Sequence, residues 1–184
     1  MLNQGELHVL DWMAAFMRRP LLDAWMPRIT FLGDHGWFWV VLAIALMLYK
    51  PWRRIGLTIG VALLLSLFVA NLWLKPLVGR IRPYDVNPLA ELLILAPKDF
   101  SFPSGHSQAS FAAAFALFCH QKKAGAAALG LATLIAFSRL YLYVHYPSDV
   151  LCGMVIGIAL GWAAYLGVEK FSKKKHTFLS EKRQ

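Results

Sequence analysis

The chain has 184 residues, enough for one domain, and is 58% apolar, 14% aromatic and only 16% charged. A soluble domain carries about one-quarter charged residues, so the composition excludes an ordinary soluble fold and points to an integral membrane protein. The net charge of +9 would suit nucleic acid, but the cations sit at helix ends and in a tail, so no nucleic-acid partner is expected.

Residues 5–18 set Leu7, Leu10, Trp12, Met13, Phe16 and Met17 among polar neighbours, a short amphipathic helix lying at the membrane surface and ended by Arg18-Arg19-Pro20. Glu6 and Asp11 stand where the apolar core of a signal peptide would be needed, so no cleavable leader is expected. Pro20 suits the first turn of a second helix, about 21–32, which is short for a span and is broken by Gly33-Asp34-His35-Gly36. His35 reads as a solvated loop residue. Residues 37–49 are apolar but fall short of the ~20 needed to cross a bilayer, so this helix must begin near Asp34 or the membrane must thin there.

Residues 55–74 carry no charge and make the cleanest span, ended by Lys75, Gly79 and Pro83. The loop 84–102 holds the apolar patch Leu92–Leu95, which either dips into the lipid as a helix or packs as a loop on the helix ends. Residues 104–119 and 124–143 read as spans joined by a tight turn at His120–Lys123. A final span covers 148–168, with Gly153, Gly157 and Gly161 four apart on one face, a stripe that suits packing inside a bundle or a homodimer contact. Cys119 and Cys152 lie in apolar runs and read as packing residues. Trp37, Trp39, Trp73 and Trp162 suit an interfacial aromatic belt.

The expected fold is therefore all-α: a polytopic transmembrane bundle of five spans plus a sixth near the N-terminus, in a single domain over 1–184, with a basic cytoplasmic tail at 171–184. Lys50, Arg53, Arg54, Lys122, Lys123 and the tail cations Lys170, Lys173, Lys174, Lys175, Lys182 and Arg183 fall on one side, eleven of the nineteen. The positive-inside rule makes that side cytoplasmic. Lys75, Arg82, His106, Arg139 and His145 then face outward from the inner (plasma) membrane.

Charge beside hydrocarbon is costly and marks function. Three polar groups stand at such edges: Lys75 with Arg82-Pro83, then Pro103-Ser104-Gly105-His106, then Ser138-Arg139 with His145 and Asp149. Two histidines, a carboxylate and three cations suit phosphoryl transfer. Lys75, Arg82 and Arg139 would bind phosphate oxygens, and Ser104 and Gly105 open a helix whose first amides would bind an anion. His145 is the expected nucleophile, oriented by Asp149 four residues on. His106 would protonate the leaving oxygen and then take a proton from water. Asp85, Glu91 and Asp99 are scattered, so no metal or other cofactor is expected, the cations standing in for magnesium. Arg80 and Tyr84 flank the first motif and suit either a substrate contact or, the commoner role, an interfacial anchor.

These motifs, in this order from Lys75 to Asp149, resemble the signature of the type 2 phosphatidic acid phosphatase (PAP2) family, whose core is shared with soluble vanadium haloperoxidases. The resemblance implies a membrane lipid phosphatase working through a phosphohistidine on His145, with a lipid phosphate and membrane lipids as its partners. Undecaprenyl diphosphate ranks first as substrate, then phosphatidylglycerophosphate or phosphatidic acid. A lipid phosphotransferase would use the same intermediate. A non-catalytic phosphate-binding membrane protein is the contrasting reading, which the complete set of site residues disfavours.

Overall fold

The computed structural model describes residues 2–87 and 92–181, and these residues form helices and loops without a strand. Nine α-helices follow in order: α1 (Leu2–Met17), α2 (Pro20–Phe31), α3 (Trp37–Leu48), α4 (Arg53–Leu67), α5 (Lys75–Val78), α6 (Pro83–Val86), α7 (Gly105–His120), α8 (Lys122–Tyr141) and α9 (Pro147–Glu181). A π-helical turn, Phe68–Leu74, joins α4 to α5.

The bundle is built around α7, which packs on α4, α8 and α9. Ala112, Ala113, Ala114 and Ala116 are fully buried, and their short side chains let neighbouring backbones come close. The glycine stripe of α9 meets this same helix. A Cβ on Gly153, Gly157 or Gly161 would lie 2.8, 2.4 and 2.5 Å from the carbonyl oxygens of Ser104, Gln108 and Ala112. The stripe is thus taken up inside the chain, as bundle packing predicts.

The number of spans differs from the sequence expectation. Among the described residues, three helical stretches, Lys50–Val86, Lys122–Tyr141 and Pro147–Lys173, are long and apolar enough to cross a bilayer. Counting the pair Pro20–Phe31 and Asp34–Leu48, bent by 44°, as one broken span raises this to four, not to five or six. The reason is length. The 16 residues of α7 and the 12 of α3 fall short of the ~20 that a bilayer requires. Sheathed by other helices, α7 buries Ser107, Gln108 and Ser110, and Gln108 Nε2 donates to Ser66 O at 3.1 Å.

Several local expectations change as well. Trp39 is not part of an interfacial belt: it is 1% exposed and donates its indole N–H to Ser110 Oγ at 2.9 Å. Leu92, Leu93 and Ile94 form no helix but pack on Met26, Tyr141, Leu142 and Val144, so this patch is a loop seated on helix ends. The helix α9 continues through the expected tail to Glu181, and Lys182 and Arg183 lie outside the described residues. Leu10 of α1 is fully buried against Tyr143 and Tyr146, and Asp11 accepts the Tyr143 hydroxyl at 2.6 Å. The first helix therefore closes over the α8–α9 loop.

Candidate active site

One end of the bundle gathers the polar residues because four helices start or stop there. The π-turn and α5 deliver Lys75, a common use of a π-bulge near a functional site. The left-handed Gly79 (φ 58°) then turns the chain into the extended segment that carries Arg82. Ser104 caps α7, Arg139 ends α8, and Pro147 opens α9 with Asp149 in its first turn. Leu142 to Tyr146, between α8 and α9, are each no more than 2% exposed, so His145 sits on a loop fixed by packing on all sides.

Lys75, Arg82, Gly105, His106, Arg139 and His145 line a single cavity of about 1200 Å³. Ser104 and Asp149 are fully buried behind it. The Ser104 hydroxyl is turned into its own helix, accepting from the Ser107 amide at 3.4 Å and lying 2.9 Å from Ser107 Oγ. Away from the polar end the cavity runs between α3 and α4, past Val40, Ile44, Met47, Leu57 and Leu64. Its charged head and apolar body suit an amphiphile.

Around His145 the two ring nitrogens have distinct surroundings. Arg82 Nη1 lies 3.2 Å from Nε2 and donates to Val144 O at 2.7 Å. A guanidinium only donates, so Nε2 presents its lone pair and the proton belongs on Nδ1. Nδ1 in turn lies 3.4 Å from Ser101 Oγ and 3.5 Å from Asp149 Oδ2. Burial, and then the positive charges of Arg82 and Arg139, push the His145 imidazole well below its ordinary value. The ring is therefore neutral at pH 7, the form in which Nε2 can attack phosphorus.

Three hydrogen bonds besides the His145 contact fix the Asp149 carboxylate. Oδ2 accepts from Ser101 Oγ at 2.5 Å and from the Tyr146 amide at 3.0 Å, and Oδ1 accepts from Arg80 Nη1 at 2.5 Å. Arg80 also donates to Ser148 Oγ at 2.7 Å and to Glu6 of α1, and it stacks over the Tyr146 ring at 3.9 Å. Glu6 accepts the Ser148 amide at 2.7 Å. Arg80 is therefore a partner of Asp149, and Ser101 and Glu6 join it without a sequence motif to mark them. Only the charge of Arg80 beside an apolar run could have pointed to it.

Asp99 is not a stray carboxylate. It pairs with Lys75 Nζ and with Arg82 Nη2, the latter at 2.6 Å, while its backbone oxygen accepts from Arg82 Nε at 2.8 Å. Burial works against its charged form, but Lys75 and Arg82 outweigh that and hold the carboxyl well below the usual carboxylate range. The Tyr84 hydroxyl donates to Pro97 O and braces this loop. On the far wall, Arg139 is 2% exposed and donates to Thr30 Oγ1 at 2.6 Å, and its Nε has no hydrogen-bond partner among the described residues. His106 Nε2 lies 2.7 Å from Asp34 Oδ1. Among the described residues no three His, Cys, Asp or Glu side chains are grouped to hold a metal ion; Glu91 lies outside them.

The sequence profile of the PAP2 superfamily matches residues 55–173. The chain is 31% identical over 146 residues to the undecaprenyl-diphosphatase of Sulfolobus acidocaldarius, an alignment covering 77% of this chain and 68% of that one. It is 32% identical over 167 residues to the lipid A 4'-phosphatase of Bacteroides thetaiotaomicron, covering 84% and 73%. The crystal structure of a transmembrane PAP2-type phosphatidylglycerolphosphate phosphatase from Bacillus subtilis superposes with a TM-score of 0.72 at 26% identity, over 94% of this chain and 87% of that one.

Proposed function

The chain belongs to the PAP2 superfamily of membrane lipid phosphatases, and on that premise we propose that it hydrolyses a polyprenyl diphosphate, undecaprenyl diphosphate first, without a metal. The observation that carries this reading is the continuity of the cavity, cationic at one end and apolar along α3 and α4. Phosphate oxygens would be held by Lys75, Arg82 and Arg139 and by the amides that open α7 at Gly105. His145 Nε2 would attack phosphorus as Asp149 and Ser101 steady Nδ1–H. His106 would give a proton to the leaving oxygen and then take one from the water that cleaves the phosphohistidine. The three cations supply the charge that magnesium provides in many phosphoryl-transfer enzymes.

The site lies at the end of the bundle opposite the Lys122–Lys123 turn, which supports an outward-facing orientation by the positive-inside rule. The test is phosphate release from undecaprenyl diphosphate, phosphatidylglycerophosphate, phosphatidic acid and lipid A in detergent, with and without EDTA. Fastest turnover of the diphosphate, unchanged by chelator, is expected. Preference for a glycerophospholipid would remove the polyprenyl assignment, and chelator-sensitive turnover would remove metal independence. Intact cells should hydrolyse a membrane-impermeant aryl phosphate, and hydrolysis only after lysis would reverse the orientation.

A further inference from the structure

The chain between α2 and α3 is shaped around His106. Gly33 lies so close that a Cβ there would stand 2.7 Å from His106 Cδ2 and 2.9 Å from Ile135 Cγ2. Asp34 follows and meets His106 Nε2 at 2.7 Å. His35 and Gly36 then take left-handed backbone angles, φ 52° and 67°, before α3 begins. For a non-glycine residue that conformation is strained and needs a compensating contact. The turn thus presents a carboxylate to the imidazole at the cost of a broken helix. Because the Cδ2–Nε2 edge of the ring faces this turn, the Nδ1 edge faces away from it. Nδ1 has no hydrogen-bond partner among the described residues, and His106 lines the cavity. Asp34 lies outside residues 55–173, so the superfamily profile does not include it.

We propose that Asp34 is the positioning residue of His106: its carboxylate fixes the ring by accepting Nε2–H, so that Nδ1 is the nitrogen that exchanges protons with the leaving oxygen and with water. The proposal rests on the reading of His106 as proton donor. In the first step the Nδ1 proton passes to the bridging oxygen as its bond to phosphorus breaks. In the second, the freed Nδ1 lone pair takes a proton from the attacking water, and His106 returns to its starting state. The ring thus enters the first step with both nitrogens protonated, its positive charge offset by Asp34, is neutral while the phosphohistidine exists, and keeps its Nε2–H bond to Asp34 in both states. The site then holds two carboxylate–histidine pairs of opposite duty, Asp149 behind the nucleophile and Asp34 behind the acid.

The test compares Asp34→Asn, Asp34→Glu and His106→Ala on two substrates, an alkyl lipid phosphate and para-nitrophenyl phosphate, whose leaving group hardly needs a proton. General acid catalysis contributes about 10²–10⁴-fold. His106→Ala should lose most of that on the alkyl substrate and much less on the aryl one. Asp34→Asn should show the same contrast in smaller measure, roughly 10–10²-fold against under threefold. Vanadate inhibition should stay within about threefold of wild type, since the phosphate cations are untouched. Equal slowing of both substrates in Asp34→Asn, with the contrast intact in His106→Ala, would overturn the role of Asp34. Absence of the contrast in His106→Ala itself would instead remove the underlying reading of His106. Faster turnover in Asp34→Asn would show that the carboxylate blocks the ring and would also overturn the proposal. Should Asp34→Asn fail to fold, Asp34→Glu decides the matter: moving the carboxylate by one methylene must slow the alkyl substrate selectively.

Discussion

Asp99 places a carboxylate where Lys75 and Arg82, the two cations proposed to bind phosphate, converge. With its side chain 53% exposed, it can swing towards solvent while its backbone stays tied to Arg82. A bound phosphate would have to displace it from Lys75 and Arg82. In Asp99→Asn that competition is gone, so vanadate, which mimics five-coordinate phosphorus, should bind more tightly. Partly exposed ion pairs contribute up to about 1 kcal/mol, so the expected gain is roughly fivefold in the inhibition constant. Weaker vanadate binding would show instead that Asp99 holds the two cations in place for the substrate. The same small neighbourhood shows how far residue identity carries. Lys75, Arg82, His106, Arg139 and His145 were legible because each charge or imidazole stands at the edge of an apolar run. Asp99, Asp34, Ser101 and Glu6 were not, because their partners lie 17 to 142 positions away in the chain. A lone carboxylate in a loop looks the same whether it faces solvent or a guanidinium.

Helix packing was legible at some positions and misleading at others. The four-residue spacing of Gly153, Gly157 and Gly161 pointed to a close contact, and α7 fills it. Hydrophobicity alone made α7 look like a span, since a helix surrounded by protein and one surrounded by lipid share an apolar composition. The distinction lies in length and in what encloses the helix, and only the second needs the fold. The close contact makes a clear stability prediction. In Gly157→Ala the new methyl would stand 2.4 Å from the Gln108 carbonyl oxygen, which belongs to a helix backbone and cannot turn aside. Overpacking of this kind costs about 1–3 kcal/mol, so the thermal midpoint in detergent should fall. Gly167→Ala, on the same helix with open space around it, should leave the midpoint unchanged or raise it slightly. Equal effects at the two positions would show that α9 does not sit on α7 as described.

At the scale of the whole molecule, the bundle buries a polar site at one end and opens an apolar groove beneath it. The first helix is tied to that site from outside, through Glu6, Arg80 and Asp149. His145, the proposed nucleophile, is buried at this end, with its Nε2 lone pair 3.2 Å from Arg82 Nη1. The most direct test is rapid-quench trapping of the enzyme during a single turnover with a ³²P-labelled lipid phosphate. The expected result is an acid-labile, base-stable phosphoenzyme in the wild type that His145→Ala abolishes together with turnover. Labelled phosphoenzyme in His145→Ala, or turnover that survives the substitution, would contradict the account.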